Sequence, residues 1–383
     1  MEFRFTPEQT AIADSARGFL AQHATAASLQ NYIAAATCMA ENLWHAAERD
    51  MGWIGVAVPE AFGGAGLSAV ELAILMQETG AVLAPMPLFA TTALAIPAIL
   101  AAATPQQQSG LIPPILAGAA ATLCFTNEHA TPGAAGVTAA LHRQGDHYRL
   151  TGLSGFVPHA GAAKTLIIAC RAPNSQIAEG LSLIALPATH PGLHITHHTT
   201  LDLTRPYSTI RYQNADIPRT AILGEPECAG PAFLQTLSFA AAMLAAEQLG
   251  GAEHVLALSV DHAKTRIQFN RPIGGFQAIK HKLADMKLLV ESARSAAFYA
   301  ACTAAESPEH LAEAAAIARV YCSDAFTQCA AAAIQIHGGM GFTWDHPAHL
   351  YFKRARASAT LLGGPSYHRE KIAQAMGLNA AAA

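Results

Sequence analysis

The sequence predicts an α+β chain in three parts: an N-terminal α-helical domain, a middle β-domain of barrel or sandwich type, and a C-terminal α-helical domain built as a four-helix bundle. Helical, Ala- and Leu-rich spacing runs from Met1 to about Gly118. Short β-branched or aromatic runs separated by Gly, Pro and Asn fill about Ala119 to Leu223, and helical spacing returns from about Pro231. Helices, then strands, then helices is not the alternation of a parallel α/β sheet. The expected boundaries are 1–118, 119–226 and 227–383.

Composition narrows the classes. A chain of 383 residues, 52% hydrophobic and 13% charged, can bury full cores without disulfides. With 23 Lys plus Arg against 27 Asp plus Glu, it has no broad positive field for a nucleic-acid backbone, so no nucleic-acid partner is expected. The seven cysteines form no Cys-x-x-Cys pair and read as small buried hydrophobes in a reducing, cytoplasmic setting. The longest uncharged stretch, Thr79 to Ala103, contains Gly80, Pro85, Pro87 and Pro97. It reads as buried helices and turns, not a membrane span.

The first helix starts at a capping box: Thr6 as N-cap, Pro7 at the first helical position and Gln9 three residues on. A second start lies at Ser68 with Glu71, after the Gly-rich turn Phe62 to Gly66. Strands are expected at 147–152, 163–170, 181–187, 193–198 and 207–213, and C-terminal helices to Asn270, from Phe276 to Ala305, from Pro308 to Ile336, and from Pro365 into the Ala-rich tail. No Gly-x-Gly-x-x-Gly joins a strand to a helix, which, with the order of elements, argues against a nicotinamide-binding Rossmann domain.

Two segments carry chemistry. From Lys264 to Gln277 a long helix ends in a Pro-Ile-Gly-Gly turn and a second begins, placing cationic and amide groups at a hairpin tip; a merely solvated tip is the plain alternative. From Gln335 to Phe342, three glycines in four positions allow close backbone approach to a ligand, or simply cap a helix.

In order and spacing these segments, with Pro59 to Ser68 and Thr151 to His159, resemble the signature regions of the acyl-CoA dehydrogenase family over essentially the whole chain. The resemblance implies FAD as cofactor, an acyl-CoA thioester as substrate and an electron-transfer flavoprotein or similar acceptor. It also implies that Arg266, Phe269, Gln277, Gln335, Gly338 and Gly339 of one subunit contact the FAD held mainly by its neighbour. Phe156 takes the place of the aromatic residue beside the flavin ring, and Thr126 survives in the loop that cradles a subunit's own flavin. The family's flavin-bonding hydroxyl falls on Pro158, which has none, and the loop from Thr126 to Gly136 departs from the family's pattern.

The family's α,β-desaturation removes a proton next to the thioester carbonyl and passes a hydride from Cβ to the flavin, which requires a carboxylate base. The usual slot falls on Leu362 or Gly363, and the minority slot, counted back from Arg266, on Phe239 or Ala240. Neither holds an acid. The nearest acid on that helix, Glu247, lies seven residues beyond Ala240 on nearly the same face and about 10 Å along the axis. It reads as a relocated base, or as a carboxylate paired with Lys or Arg. The small residues from Ala240 to Leu244 suit a wide acyl group, and the tail resembles the branch that handles bulky or sterol-derived thioesters and often assembles from two different chains. The assembly expected is a homo-oligomer or a heterotetramer with a second dehydrogenase-like chain, with a partner subunit lacking its own base as the rival reading and a non-desaturating flavoenzyme as a further one. The pairs His346 with His349 and His197 with His198 lack a third ligand, so no metal is expected. His368 and Arg369 could meet a CoA phosphate or cap a helix.

Overall fold

The computed structural model describes residues 5–173, 175 and 179–378. Helices α1 (Pro7–His23), α2 (Ala26–Ala35), α3 (Glu41–Arg49), α4 (Ala69–Ala81), α5 (Ile96–Ala102) and α6 (Pro105–Leu116) come first. Strands β1 (Ala121–Cys124), β2 (Ala140–Gln144), β3 (His147–Pro158), β4 (Thr165–Arg171), β5 (Leu181–Pro187), β6 (Leu193–His197) and β7 (Tyr207–Pro218) follow. The C-terminal part holds α7 (Gly230–Thr265), the two-residue strands β8 (Ile267–Gln268) and β9 (Arg271–Pro272), α8 (Gln277–Glu306), α9 (Leu311–His337), α10 (Ala348–Thr360) and α11 (Pro365–Ala375). The Ala-rich tail expected to prolong the last helix lies largely outside the described residues.

By contacts the chain divides into two compact units, one of Met1–Asn31, Ala69–Ala84 and Ala241–Ala383, the other of Tyr32–Ser68 and Pro85–Ala240. In the first, the capping box of α1 forms as expected: Thr6 Oγ1 accepts from the Gln9 amide at 3.2 Å, and Gln9 Oε1 accepts from the Thr6 amide at 3.1 Å. Helices α8, α10 and α11 all pack on α9, and α4 packs on α8. Helices α4 and α7 meet backbone to backbone at two glycines. A Cβ on Gly80 would sit 2.1 Å from the Glu247 carbonyl oxygen, and one on Gly250 would sit 1.8 Å from that of Gln77.

The second unit holds one seven-stranded sheet in the order β1-β4-β2-β3-β7-β6, with β5 on the other edge of β4. Strand β4 reads as a continuous apolar run because it is paired on both edges and buried across its middle. The core inside the sheet includes the fully buried Leu150, Leu166, Ile168, Ile184, Ile210 and Ile217. Helix α6 is tied to the strand ends by Gln107 Nε2, which donates to the Thr220 carbonyl at 3.1 Å and the Ile222 carbonyl at 2.8 Å. The stretch from Thr79 to Ala103 is largely buried and folds as the end of α4, a π-helical turn Phe89–Ala95, and α5 with Pro97 in its first turn. Among the described residues no helix is long and apolar enough to cross a membrane. Of the cysteines, five are buried, Cys38 is half-buried, and Cys228 is exposed, contrary to the uniform burial expected.

Candidate functional site

The Lys264–Gln277 segment departs from the expected helix. Helix α7 stops at Thr265, five residues before Asn270, and the chain makes a small hairpin in which Ile267 faces Pro272 and Gln268 faces Arg271. Its two turn residues, Phe269 (φ +50°) and Asn270 (φ +61°), both sit at positive φ, the requirement of the two-residue turn that matches strand twist. Asparagine tolerates this region; a phenylalanine there is unusual, and it stands 87% exposed. Behind it the Arg271 guanidinium lies over the Phe276 ring at 4.0 Å, fixing the entry to α8. Arg266, at the base of the hairpin, is exposed and forms no ion pair among the described residues. Gln277 begins α8 on the exposed side.

The second segment ends α9. Gln335 is exposed, and Gly338, at φ +63°, and Gly339 face open space: a Cβ on either would meet nothing within 4 Å. The two segments are linked through histidines. The His262 ring of α7 stacks on His337 of α9 at 4.3 Å, and His337 lies 4.3 Å from His346. His337 Nδ1 is 2.7 Å from the Ala333 carbonyl, and His346 Nδ1 accepts from the Ala348 amide at 3.3 Å. His349 packs edge-on to Trp344 at 4.8 Å. Among the described residues no group of three His, Cys, Asp or Glu is arranged to hold a metal. An unpaired cation, two exposed amides and an uncovered glycine pair are what a phosphate-bearing dinucleotide needs, so Arg266, Gln277, Gln335, Gly338 and Gly339 fit FAD.

Thr126 and Phe156 lie in the other unit, where Thr126 is hydrogen-bonded to Gly155, the residue before Phe156. The ladder between β3 and β7 shifts register between Ser154 and Val157. This bulge pushes Phe156 out of the strand at φ +48°, leaving it 42% exposed with its ring 5.9 Å from that of His198. The Thr126 hydroxyl donates to the Gly155 carbonyl, and the Gly155 amide donates back to the Thr126 carbonyl at 2.7 Å. Thr126 therefore braces the bulge with its own proton. The altered loop that follows is closed by Asn127, whose Oδ1 accepts from the amides of His129 at 3.0 Å and Thr131 at 3.1 Å. Pro158 ends β3 as a buried residue, and its carbonyl accepts from the Thr122 hydroxyl at 2.9 Å. His197 and His198 each face a β7 hydroxyl, on Ser208 at 3.0 Å and Thr209 at 2.8 Å.

Glu247 is buried in an ion pair. Arg354 of α10 places Nη1 3.1 Å from Glu247 Oε1, with the two side chains 3% and 7% exposed. This is the paired-carboxylate reading that the sequence left open. At the other slots Ala240 is fully buried, while Leu362 and Gly363 form a turn at φ +63° and +99°. That turn is held from behind by Arg319, which sequence reasoning missed. Fully buried, its Nη2 donates to the carbonyls of Ser358 at 2.9 Å and Leu361 at 2.8 Å, and Nη1 donates to Gln248 Oε1. The cation is answered by the carbonyl end of α10 and its side-chain amide partner. A lone arginine in the Ala-rich run of α9 was the available signal. Arg369 pairs with Asp324 at 2.6 Å instead of standing free.

Burial, with Arg319 and Lys371 nearby, pushes the His368 imidazole down to about 3; burial and the neighbouring His337, His262 and His349 push His346 down to about 4. Both rings stay neutral in the fold at pH values where the unfolded chain, titrating near 6.5, takes up protons. Stability from these groups is complete above about pH 6.5 and lost on acidification toward those values. We expect the urea midpoint to fall between pH 7 and pH 5, and a His368→Phe variant to show a shallower fall over the same interval.

The acyl-CoA dehydrogenase N-terminal domain matches residues 6–119, and the acyl-CoA dehydrogenase C-terminal domain matches residues 230–377. The chain is 34% identical over 358 residues to acyl-CoA dehydrogenase IpdE2 of Mycobacterium tuberculosis, covering 94% of both proteins. Its fold is similar to that of a steroid ACAD denoted Tcur3481-Tcur3483, with a TM-score of 0.84 and 30% identity over 97% of this chain and 98% of that one. It is also similar to butyryl-CoA dehydrogenase from Megasphaera elsdenii, with a TM-score of 0.90 and 25% identity over 98% and 100% of the two chains. Helical, β and helical parts in this order, with these matches along the chain, establish that it belongs to the acyl-CoA dehydrogenase family.

Proposed function

We propose that this chain is the flavin-completing subunit of a two-chain acyl-CoA dehydrogenase that desaturates a bulky, steroid-type acyl thioester at its α,β bond, the proton-abstracting carboxylate residing on the other chain. FAD is the cofactor of the family, and when bound it takes up the hydride leaving Cβ. Arg266, Gln277, Gln335 and the Gly338-Gly339 backbone would hold it from this side, with electrons leaving to an electron-transfer flavoprotein or a similar acceptor.

The observation that carries the reading is the Glu247–Arg354 pair. A base must have a carboxylate oxygen free to reach the substrate proton. Glu247 Oε1 is engaged by a buried guanidinium, and the backbone of α4 lies against the Glu247 carbonyl. The slots at Ala240 and at Leu362 or Gly363 offer no acid. The likeness to the steroid ACAD named for two chains supports both the paired assembly and the substrate class.

Co-expression with a second dehydrogenase-like chain tests this. The chain alone should purify with little flavin, whereas the pair should be yellow and active on a steroid-type acyl-CoA. In the pair, Glu247→Gln should leave turnover within a few-fold of the parent. Arg266→Ala should weaken flavin retention by roughly 30-fold, for the loss of a charge-assisted contact of about 2 kcal/mol. Turnover abolished by Glu247→Gln with flavin still bound would make Glu247 the base and overturn the proposal, as would an isolated chain that holds one FAD and desaturates unaided.

A further inference from the structure

Between the start of α1 and helices α4, α7 and α8, the first unit contains a partly open cavity of about 200 Å³. Its walls are mostly apolar: Val70, Ala73 and Ile74 of α4, Leu249 of α7, and Ala297 and Ala301 of α8. Alanines at three of these positions leave room that larger side chains would fill. Phe5 stands at the edge of the cavity, partly exposed, with its ring edge-on to Phe298 at 5.5 Å.

The charges behind the polar wall of the cavity pair off, Arg294 with Glu253, and Lys287, whose Nζ lies 2.5 Å from Glu291 Oε1, with Glu291. Arg294 Nη2 lies 2.8 Å from Glu253 Oε1, and its Nε lies 3.6 Å from Glu291 Oε2. Gln77 Nε2 donates to Glu253 Oε2 at 2.8 Å. A charged ligand would find its opposite already taken, and the phosphates of a CoA thioester would have no unmatched cation. The Gln77 amide oxygen accepts from no described residue, so one uncharged donor can be received there. A cavity of about 150 Å³ holds benzene, so this one admits a single six-membered ring with one or two further heavy atoms.

We propose that this cavity is a binding site for an uncharged, mostly apolar small molecule, a single ring or chain of similar size carrying one hydroxyl, and that it is separate from the thioester site. The wall formed by Leu249 is only two residues from Glu247, so an occupant would stiffen α7 beside the Glu247–Arg354 pair.

The test is the melting temperature of the full chain with cyclohexanol, and with cyclohexylammonium and cyclohexanecarboxylate as charged counterparts of the same shape. Cyclohexanol should raise it saturably and the charged pair should not. Ala297→Leu and the gentler Ala73→Val, which fill the space, should fold and lose the response. If both variants fail to fold, methyl resonances of Ala297, Ala301 and Leu249 in the parent chain decide, and selective shifts on titration are expected. No saturable rise, an equal rise with the charged compounds, a response undiminished in folded variants, or methyl shifts spread over the whole chain would overturn the proposal.

Discussion

Arg354→Met should destabilise the chain by about 3–5 kcal/mol, read as a lowered denaturant midpoint with unchanged slope, because it leaves the Glu247 carboxylate buried without its cation. The cost comes from the stranded charge, and a double variant separates that from lost packing. Glu247→Leu combined with Arg354→Met replaces the pair by apolar side chains of similar length and should recover most of the loss. If the single and double variants were equally unstable, the pair would be serving chiefly as packing. The same experiment informs the chemistry. A double variant that regains stability and, in the co-expressed complex, keeps turnover is what a purely structural Glu247 requires.

Gly250→Val should be nearly as damaging for a different reason. A side chain at Gly250 would start 1.8 Å from the Gln77 carbonyl oxygen and 3.0 Å from the Ala81 amide, both backbone atoms of α4. Neither can swing aside, so α4 and α7 must separate, at an expected cost of at least 3 kcal/mol, the upper end for overpacking. The neighbouring Gly251 faces the Phe326 ring, with a Cβ 2.4 Å from its Cζ. An aromatic ring can tilt, so Gly251→Ala should cost less than Gly250→Ala. Thermal unfolding of the three variants ranks them, and equal midpoints for the two alanine variants would contradict the rigid-backbone account.

The glycine pair in Leu-Gly-Gly of α7 shows why part of the fold was legible and part was not. Period and punctuation placed α1, α4, α8 and the five strands β3 to β7 because those signals are local: a capping box, a Gly-rich turn, alternation. Strands β1 and β2 went unseen. Ala121–Cys124 is four apolar residues, and Ala140–Gln144 is half polar; each is a strand because β4 or β3 lies beside it. The hairpin tip was mistaken for helix because nothing in Ile-Gln-Phe-Asn forbids one; Pro272 and the tolerance of Asn270 for positive φ were the only hints. Around the site, the identities of Arg266, Phe269 and the Gly338-Gly339 pair could be carried over from a resemblance, whereas the partner of Glu247 lies 107 residues away on another helix. The carbonyl grip of Arg319 is likewise long-range, joining α9 to the end of α10. Periodicity reports which face of a helix is buried, and says nothing about which charge across the bundle answers a given acid.

The hairpin between α7 and α8 has a consequence for how the chain is made. Ile267, Phe269, Phe342 and Trp344 stand in water on and beside the two signature segments. Until they are covered, they favour sticking of one newly synthesised copy to another. If the chain pairs as proposed, recovery of soluble material depends on how promptly its companion arrives, so the stoichiometry of synthesis governs yield before any cofactor is loaded.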